Sequence, residues 1–305
     1  MGNVLRALNK SGNTEETGGP AVVQVISTAV KNAQAVAEER LRQPSPAPVQ
    51  PRSRPAAVER PATPEFWSAP EPLFPTAPAG QISPMILTCH QPRCQASEQF
   101  RQLRTSLIQL ANRGAVRCLI TSAQPREGKS VTAANLAYSF SELAGKRTLL
   151  IDADLRRGRM AELFGLSGAA GLGELLAAQC PVREVCRPVR GTLDVIAAGR
   201  ANLDAIGELL GSPPAQASMR ALIEQYDYVV LDSPPVLTLA DTGMLGAWVD
   251  MALMVVRIHK TPRKLTDKAA RALANAGVSL AGLVALDEQA QDRKGYYEGC
   301  AYYGG

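Results

Sequence analysis

Three short stretches of this chain combine residue types that together hold a triphosphate and a divalent cation. The first is Arg126-Glu127-Gly128-Lys129-Ser130-Val131, where a loop leaving the apolar run Cys118-Leu-Ile-Thr-Ser122 opens into a helical pattern. That order of parts builds a phosphate cradle. Backbone N–H groups and a helix N-terminus face the anion, Lys129 brings charge between the β- and γ-phosphates, and the Ser130 hydroxyl is placed to ligate magnesium. Glycine at 128 lets the backbone close on the ligand, and Thr132 adds a second hydroxyl nearby. Arg126 either adds positive charge over the phosphates or faces solvent as a loop arginine.

The second stretch, Thr148-Leu-Leu-Ile-Asp152-Ala-Asp154-Leu-Arg156-Arg157, ends an apolar strand pattern in two carboxylates two residues apart. Neighbouring carboxylates resist ionising together unless a cation neutralises them, and a bound magnesium ion is such a cation. The pair is suited to hold a metal's water shell and to accept a proton from an attacking hydroxyl. The third stretch, Tyr228-Val-Val-Leu-Asp232-Ser233-Pro-Pro235, again ends an apolar strand in an acid. Asp232 is placed to hold magnesium through water, and Ser233 to reach the γ-phosphate. The candidate set is therefore Lys129, Asp152, Asp154 and Asp232 for chemistry, residues 126–131 for the nucleotide, and Ser130, Asp154 and Asp232 for Mg2+.

These residues need a frame that brings strand ends together. Apolar runs at 117–122, 148–152, 193–197, 228–232, 252–257 and 282–286 alternate with helical patterns that follow Lys129, Met160, Gly171, Pro214, Thr238 and Lys264. Strands apolar on both faces, each followed by a helix, predict an α/β fold of three layers: a mostly parallel central sheet flanked by helices. The site then belongs at the carboxyl edge of the sheet. Ahead of it, residues 97–112 read as a helix, with Phe100, Leu103, Leu107, Ile108 and Leu110 recurring and Ser97 placed to cap the start.

The chain divides into three parts. Twelve of its 22 prolines lie between Pro44 and Pro84, so residues 1–90 read as a Pro-rich extension without a core of its own. Within it, Val22, Val25, Ile26, Ala29 and Val30 make a helical stripe, which predicts one helix over 21–43. Residues 91–287 form the α/β domain. Residues 288–305 form a mobile tail holding four of the chain's seven tyrosines, Tyr296, Tyr297, Tyr302 and Tyr303.

A net charge of +5 over 305 residues is too small to argue for nucleic acid. The six cysteines form no C-x-x-C pair and there are two histidines, which speaks against a zinc site or a disulfide framework. The sequence shows no long apolar run and no signal peptide, so the expected location is the cytoplasm, with any membrane contact made through a partner.

The motifs ending at Ser130, Asp154 and Asp232 resemble those of the bacterial tyrosine kinases of capsule and exopolysaccharide synthesis, a family in the same broad P-loop class as the septum- and chromosome-positioning ATPases. The resemblance covers roughly residues 96–286 and, in character, the tail. It implies an ATP-dependent protein-tyrosine autokinase, with ATP and Mg2+ as cofactors, that regulates polysaccharide polymerisation and export, with Asp152 activating the acceptor tyrosine. It also implies that the tail tyrosines are autophosphorylated by neighbouring subunits. Glu98, Arg101 and Arg104 match the family's Glu-x-x-Arg-x-x-Arg helix, which implies ring assembly through that face. A separate membrane co-polymerase protein would act as activator at the inner membrane. Two readings stay open beside it: a nucleotide-gated scaffold of the export machine that is not a kinase, and a positioning-type ATPase. Gln124 stands where the positioning ATPases carry their signature lysine, which disfavours the latter. Leu286 stands where the family has an asparagine that reads adenine, with Asp287 next to it.

Overall fold

The computed structural model describes residues 22–26 and 82–287, apart from 113, 167, 169, 203, 239 and 240. Its centre is an eight-stranded sheet: β1 (Val22–Ile26), β2 (Val116–Ser122), β3 (Thr148–Asp152), β4 (Cys186–Arg190), β5 (Leu193–Ile196), β6 (Tyr228–Asp232), β7 (Met251–Arg257) and β8 (Leu280–Asp287), in the spatial order β1-β8-β7-β2-β6-β3-β5-β4. The strands from β8 to β5 run parallel, and β1 and β4 lie antiparallel at the two edges.

The apolar strands explain the layers. Every residue of β3 and of β6 is buried. Successive side chains of a strand point to opposite faces, so each strand feeds two cores. Leu149, Ile151, Val229 and Leu231 join one core, while Leu150, Tyr228 and Val230 join the other. The second core is closed by helix α2 (Gln95–Leu110), through Phe100, Leu103 and Leu107, and by α3 (Lys129–Phe140), through Ala133, Ala137 and Phe140. The first is closed mainly by two helices further along the chain, Pro213–Ile223 and Arg263–Asn275, through Met219, Leu222, Ala269 and Leu273. The three-layer, mostly parallel architecture expected from the strand–helix alternation is the one found.

Three expectations need correction. Residues 22–26 are not the start of a helix but a strand pairing with β8, Val22 opposite Asp287 and Ile26 opposite Leu283; the rest of the expected 21–43 helix lies outside the described residues. Four of the five residues in Val-Val-Gln-Val-Ile are β-branched, which stiffens their side chains against a helix. The exposed ladder of β8 supplies the backbone partners that a lone helix lacks.

The fold also takes in residues before 91. Ile82 and Ile86 are buried, α1 (Leu87–His90) follows them, the Ser83 N–H donates to the Leu163 carbonyl at 2.8 Å, and the Thr88 N–H donates to Asn135 Oδ1 at 3.0 Å. Finally, α2 begins at Gln95 with Cys94 at its cap position. Ser97 lies inside the first turn, buried, and its hydroxyl donates to the Gln91 carbonyl at 2.8 Å.

Phe140 is fully buried at the end of α3 and stacks on Tyr228 of β6, ring centroids 4.5 Å apart. We expect Phe140→Ala to lower the unfolding free energy by about 3–5 kcal/mol, read as a shift of the urea midpoint with little change in slope.

Candidate active site

Three loops leave the carboxyl edge of β2, β6 and β3, which are adjacent in the sheet. The β2 loop turns into α3 at Gly128, whose φ of +88° is a left-handed conformation that suits glycine. A Cβ there would lie 2.5 Å from Cδ1 of Leu286, so side-chain crowding and backbone conformation both demand glycine. Lys129 is the first helical residue and is buried, Thr132 is buried one turn in, and Ser130 and Val131 are half-buried. The N–H groups of the first turn of α3, a helix of 12 residues, have no carbonyl ahead of them within the helix and face outward as anion donors. Arg126 is exposed and also takes a positive φ of 63°.

The side chain of Glu127 is spent on the loop itself. It is buried, accepts from the Gln124 N–H at 3.0 Å, and accepts from the Thr261 hydroxyl. Thr261 in turn accepts from the Arg257 N–H at 2.9 Å, and the Arg257 guanidinium donates to the Arg126 carbonyl at 3.2 Å. The loop after β7 thus braces the cradle. Only the backbone of Glu127 remains to face a nucleotide.

The register of β3 and β6 sets Asp152 directly opposite Asp232. Both side chains are fully buried. Asp152 accepts from the N–H groups of Arg159 at 2.7 Å, Met160 at 2.9 Å and Asp154 at 3.2 Å. Burial pushes its carboxyl above the usual range; the Met160 N–H opposes this, the Asp154 charge adds to it, and the other two N–H groups oppose it, leaving the net shift upward. Gly158 makes the close approach possible, since a Cβ there would lie 2.8 Å from Asp152 Oδ2. Asp154 is buried and accepts from the Arg157 N–H at 3.1 Å.

Asp232 differs in one respect: both of its buried carboxylate oxygens lack a hydrogen-bond partner. Its carboxyl is raised by burial first and by the Asp152 charge second, while the Lys129 ammonium and the nearby Ser130 hydroxyl act in the opposite direction. A buried carboxylate with no partner costs several kcal/mol unless a cation or proton joins it. The donor set of hard oxygens, with a hydroxyl at a helix start, suits magnesium. The unpartnered oxygens of Asp232 and the nearby Ser130 hydroxyl therefore fit such an ion. Ser233 does not join them. It is buried, and its hydroxyl donates to the Ile120 and Pro234 carbonyls at 3.1 Å, so it closes the β6 exit rather than reaching a phosphate.

Arg101 and Arg104 lie away from this rim, on the face of α2 that meets the end of α3. Arg101 grips Glu142 with two hydrogen bonds of 2.8 Å; Arg104 donates to Glu142 at 3.1 Å and to the Ser139 carbonyl. Burial alone would raise the Glu142 carboxyl, and the two guanidiniums outweigh it, holding it below its usual value. Glu98 is 57% exposed and within 3.4 Å of Arg101. The four tail tyrosines lie outside the described residues.

A cradle at β2, paired acids at β3 and β6, and a parallel sheet flanked by helices define a P-loop nucleotide-binding protein, and residues 126–261 match the family described as an AAA domain. The chain is 33% identical over 221 residues to the tyrosine-protein kinase YwqD of Bacillus subtilis, covering 72% of this chain and 91% of that one. Its fold matches the kinase domain of the Escherichia coli tyrosine kinase ETK with a TM-score of 0.60 at 32% identity, over 66% of this chain and 78% of that chain. It matches the chimerical protein CapA2B2 with a TM-score of 0.63 at 26% identity, over 70% and 94%. The chain spans 27% of the length of the full etk sequence. This chain belongs to the bacterial tyrosine-protein kinase family.

The raised carboxyls have a signed consequence. Between the ordinary carboxylate range and its raised folded value, Asp232 binds more protons folded than unfolded, so the ligand-free protein loses stability as pH rises through that window. Asp232→Asn removes the charge and the penalty. We expect the variant, without nucleotide, to melt a few degrees higher than wild type at pH 8, corresponding to about 1–2 kcal/mol. The difference should shrink toward pH 4, and calorimetry in matched buffers measures it.

Proposed function

We propose that this chain is an ATP-dependent protein-tyrosine kinase that phosphorylates the tyrosines of its own tail, Tyr296, Tyr297, Tyr302 and Tyr303, mainly between subunits of a ring. The observation that carries the reading is the meeting of Lys129, Asp152 and Asp232 at one rim, with the Asp232 oxygens buried and unpartnered.

The chemistry follows from positions. When bound, Mg2+ supplies positive charge that neutralises the triphosphate and the paired acids. Ser130, Asp154 and Asp232 hold it. Lys129 and the first N–H groups of α3 stabilise the oxygens that gain charge during transfer. Asp152 takes the proton of the acceptor hydroxyl. The three N–H bonds fix its orientation. Leu286, lying against Gly128, leaves the adenine without the asparagine contact of the family. That feature favours one rival, a nucleotide-gated scaffold with negligible turnover.

The kinase acts in capsule or exopolysaccharide polymerisation and export, as the family resemblance implies. It works in the cytoplasm at the inner membrane, held there by a separate membrane activator. Among the described residues no helix is long and apolar enough to cross a membrane. Ring contacts run through α2. With Arg101 and Arg104 committed to Glu142, Glu98, exposed and paired only at 3.4 Å with Arg101, is the member of the set best placed to meet a neighbouring subunit.

Two measurements test this. With ATP and Mg2+, anti-phosphotyrosine detection and mass spectrometry should find phosphate on the tail of wild type. In Lys129→Met and in Asp152→Asn the rate should fall by about 10²-fold or more; a bare wild-type tail with intact nucleotide binding selects the scaffold. Glu98→Arg should shift assemblies toward monomer in sedimentation velocity while leaving the melting temperature within about 2 °C.

A further inference from the structure

We infer that the loop following the paired acids reads the acceptor peptide: Arg157 binds a carboxylate next to the target tyrosine, so the site prefers tyrosines followed by an acidic residue. This rests on the kinase reading above and adds the substrate class.

The argument begins with strand order. The cradle leaves β2, β6 is its neighbour, and β3 lies beyond β6. Adjacent strands are about 4.8 Å apart, so the cradle and the β3 acids are roughly 10 Å apart along the rim. On the kinase reading, a nucleotide anchored at β2 would present its terminal phosphate to the acids of β6 and β3. An acceptor hydroxyl that attacks in line and gives its proton to Asp152 enters from the β3–β5 side.

Residues 156–159 project on that side, and all four are exposed. The loop does not float there. The Arg157 N–H is bonded to Asp154, the Arg159 N–H to Asp152 Oδ2, and Gly158 is packed against that same oxygen. The backbone is thus fixed to the two acids, and the side chains leave from known positions within a few residues of them. Arg159 is engaged by Glu162 at 2.9 Å. The Arg157 side chain, among the described residues, makes no hydrogen bond or ion pair. The backbone at Arg157 is fixed while its guanidinium is left exposed, a fork of donors matched to a carboxylate. Its reach from the base confines that carboxylate to a residue adjoining the tyrosine.

The chain itself contains such an acceptor. Glu298 follows Tyr297, while Tyr303 is followed by Gly304 and Gly305. Tyr297 is then the tail tyrosine favoured by this contact.

The test uses the full chain with Phe at 296, 297, 302 and 303, so that transfer is read only on added peptide. The probes are Lys-Gly-Tyr-Tyr-Glu-Gly and its Glu→Gln and Glu→Lys forms, followed by phosphate transfer and by fluorescence anisotropy with a non-hydrolysable ATP analogue and Mg2+. We expect KM and the anisotropy Kd to rise about threefold for Gln and about tenfold for Lys, with the differences shrinking at high salt. Arg157→Ala should level the three peptides without changing analogue affinity, and Arg157→Glu should reverse the order. Equal KM and Kd for all three peptides on the parent protein overturns the inference while leaving the kinase reading intact. So does a loss of analogue affinity in Arg157→Ala, which would assign the arginine to the nucleotide. Charge-ordered binding without any transfer upholds the peptide contact and sinks the kinase reading instead.

Discussion

The site is organised around two buried carboxylates set side by side by strand register. Asp152 and Asp232 are opposite each other on β3 and β6, and each raises the cost of charging the other. One is compensated by three backbone N–H groups. The other has none, and Lys129 and Ser130 offset only part of its cost. A fold that keeps such a group has a standing demand for a cation or a proton, and on the proposed reading that demand would couple metal and nucleotide binding to this rim. It also explains why the surrounding structure is so heavily tied down. A repulsive pair stays in place only if the strands beneath it cannot separate, and the residues beneath, Leu149 to Ile151 and Val229 to Leu231, are buried on both faces of the sheet.

The same logic extends outward from the acids. The short helix at Met160–Leu163 begins where its N–H groups meet Asp152, and Gly158 is needed to bring it that close. The cradle is held from the other side by the buried Glu127–Thr261 contact and by Arg257. Leu286 presses on Gly128 from β8, and β1 lies on the far edge of β8 with Val23 opposite Leu286. Continuous backbone pairing therefore runs from the N-terminal segment to the strand that contacts the nucleotide loop.

Much of this was legible in the sequence where the signal was local. The three acid- or glycine-ended apolar runs announce strands with chemistry at their carboxyl ends, and β3 and β6 have the bounds that the sequence predicts, 148–152 and 228–232. The signal failed where partners are distant or rules compete. Glu127 looks like a phosphate-loop residue because its partner Thr261 is 134 residues away. Ser233 sits beside an acid in a motif, yet its position under the Pro-Pro turn leaves its hydroxyl only carbonyls to meet. Cys186–Arg190 is a strand absent from the runs read in the sequence; it carries Pro188, which an edge strand tolerates. Valines at 22 and 25 fit a helical stripe, but branching at Cβ and an open edge on β8 favoured the strand.

The α2 arginines show how a surface motif changes meaning once its neighbours are known. In sequence, Glu98, Arg101 and Arg104 share one helical face and read as three charges offered outward. In the fold, both guanidiniums converge on Glu142, just past the end of α3, and both are largely buried. Removing them from water is compensated because one carboxylate accepts from both and the Ser139 and Pro92 carbonyls take further donors. The cluster ties α2 to the C-terminal end of the helix whose N-terminus forms the cradle. A neighbouring subunit that engaged Glu98 would pull on Arg101, and through Glu142 on α3. On the proposed ring contact, assembly and nucleotide binding would then share one element, α3, and a subunit contact at Glu98 would have a physical route to the site without touching the rim.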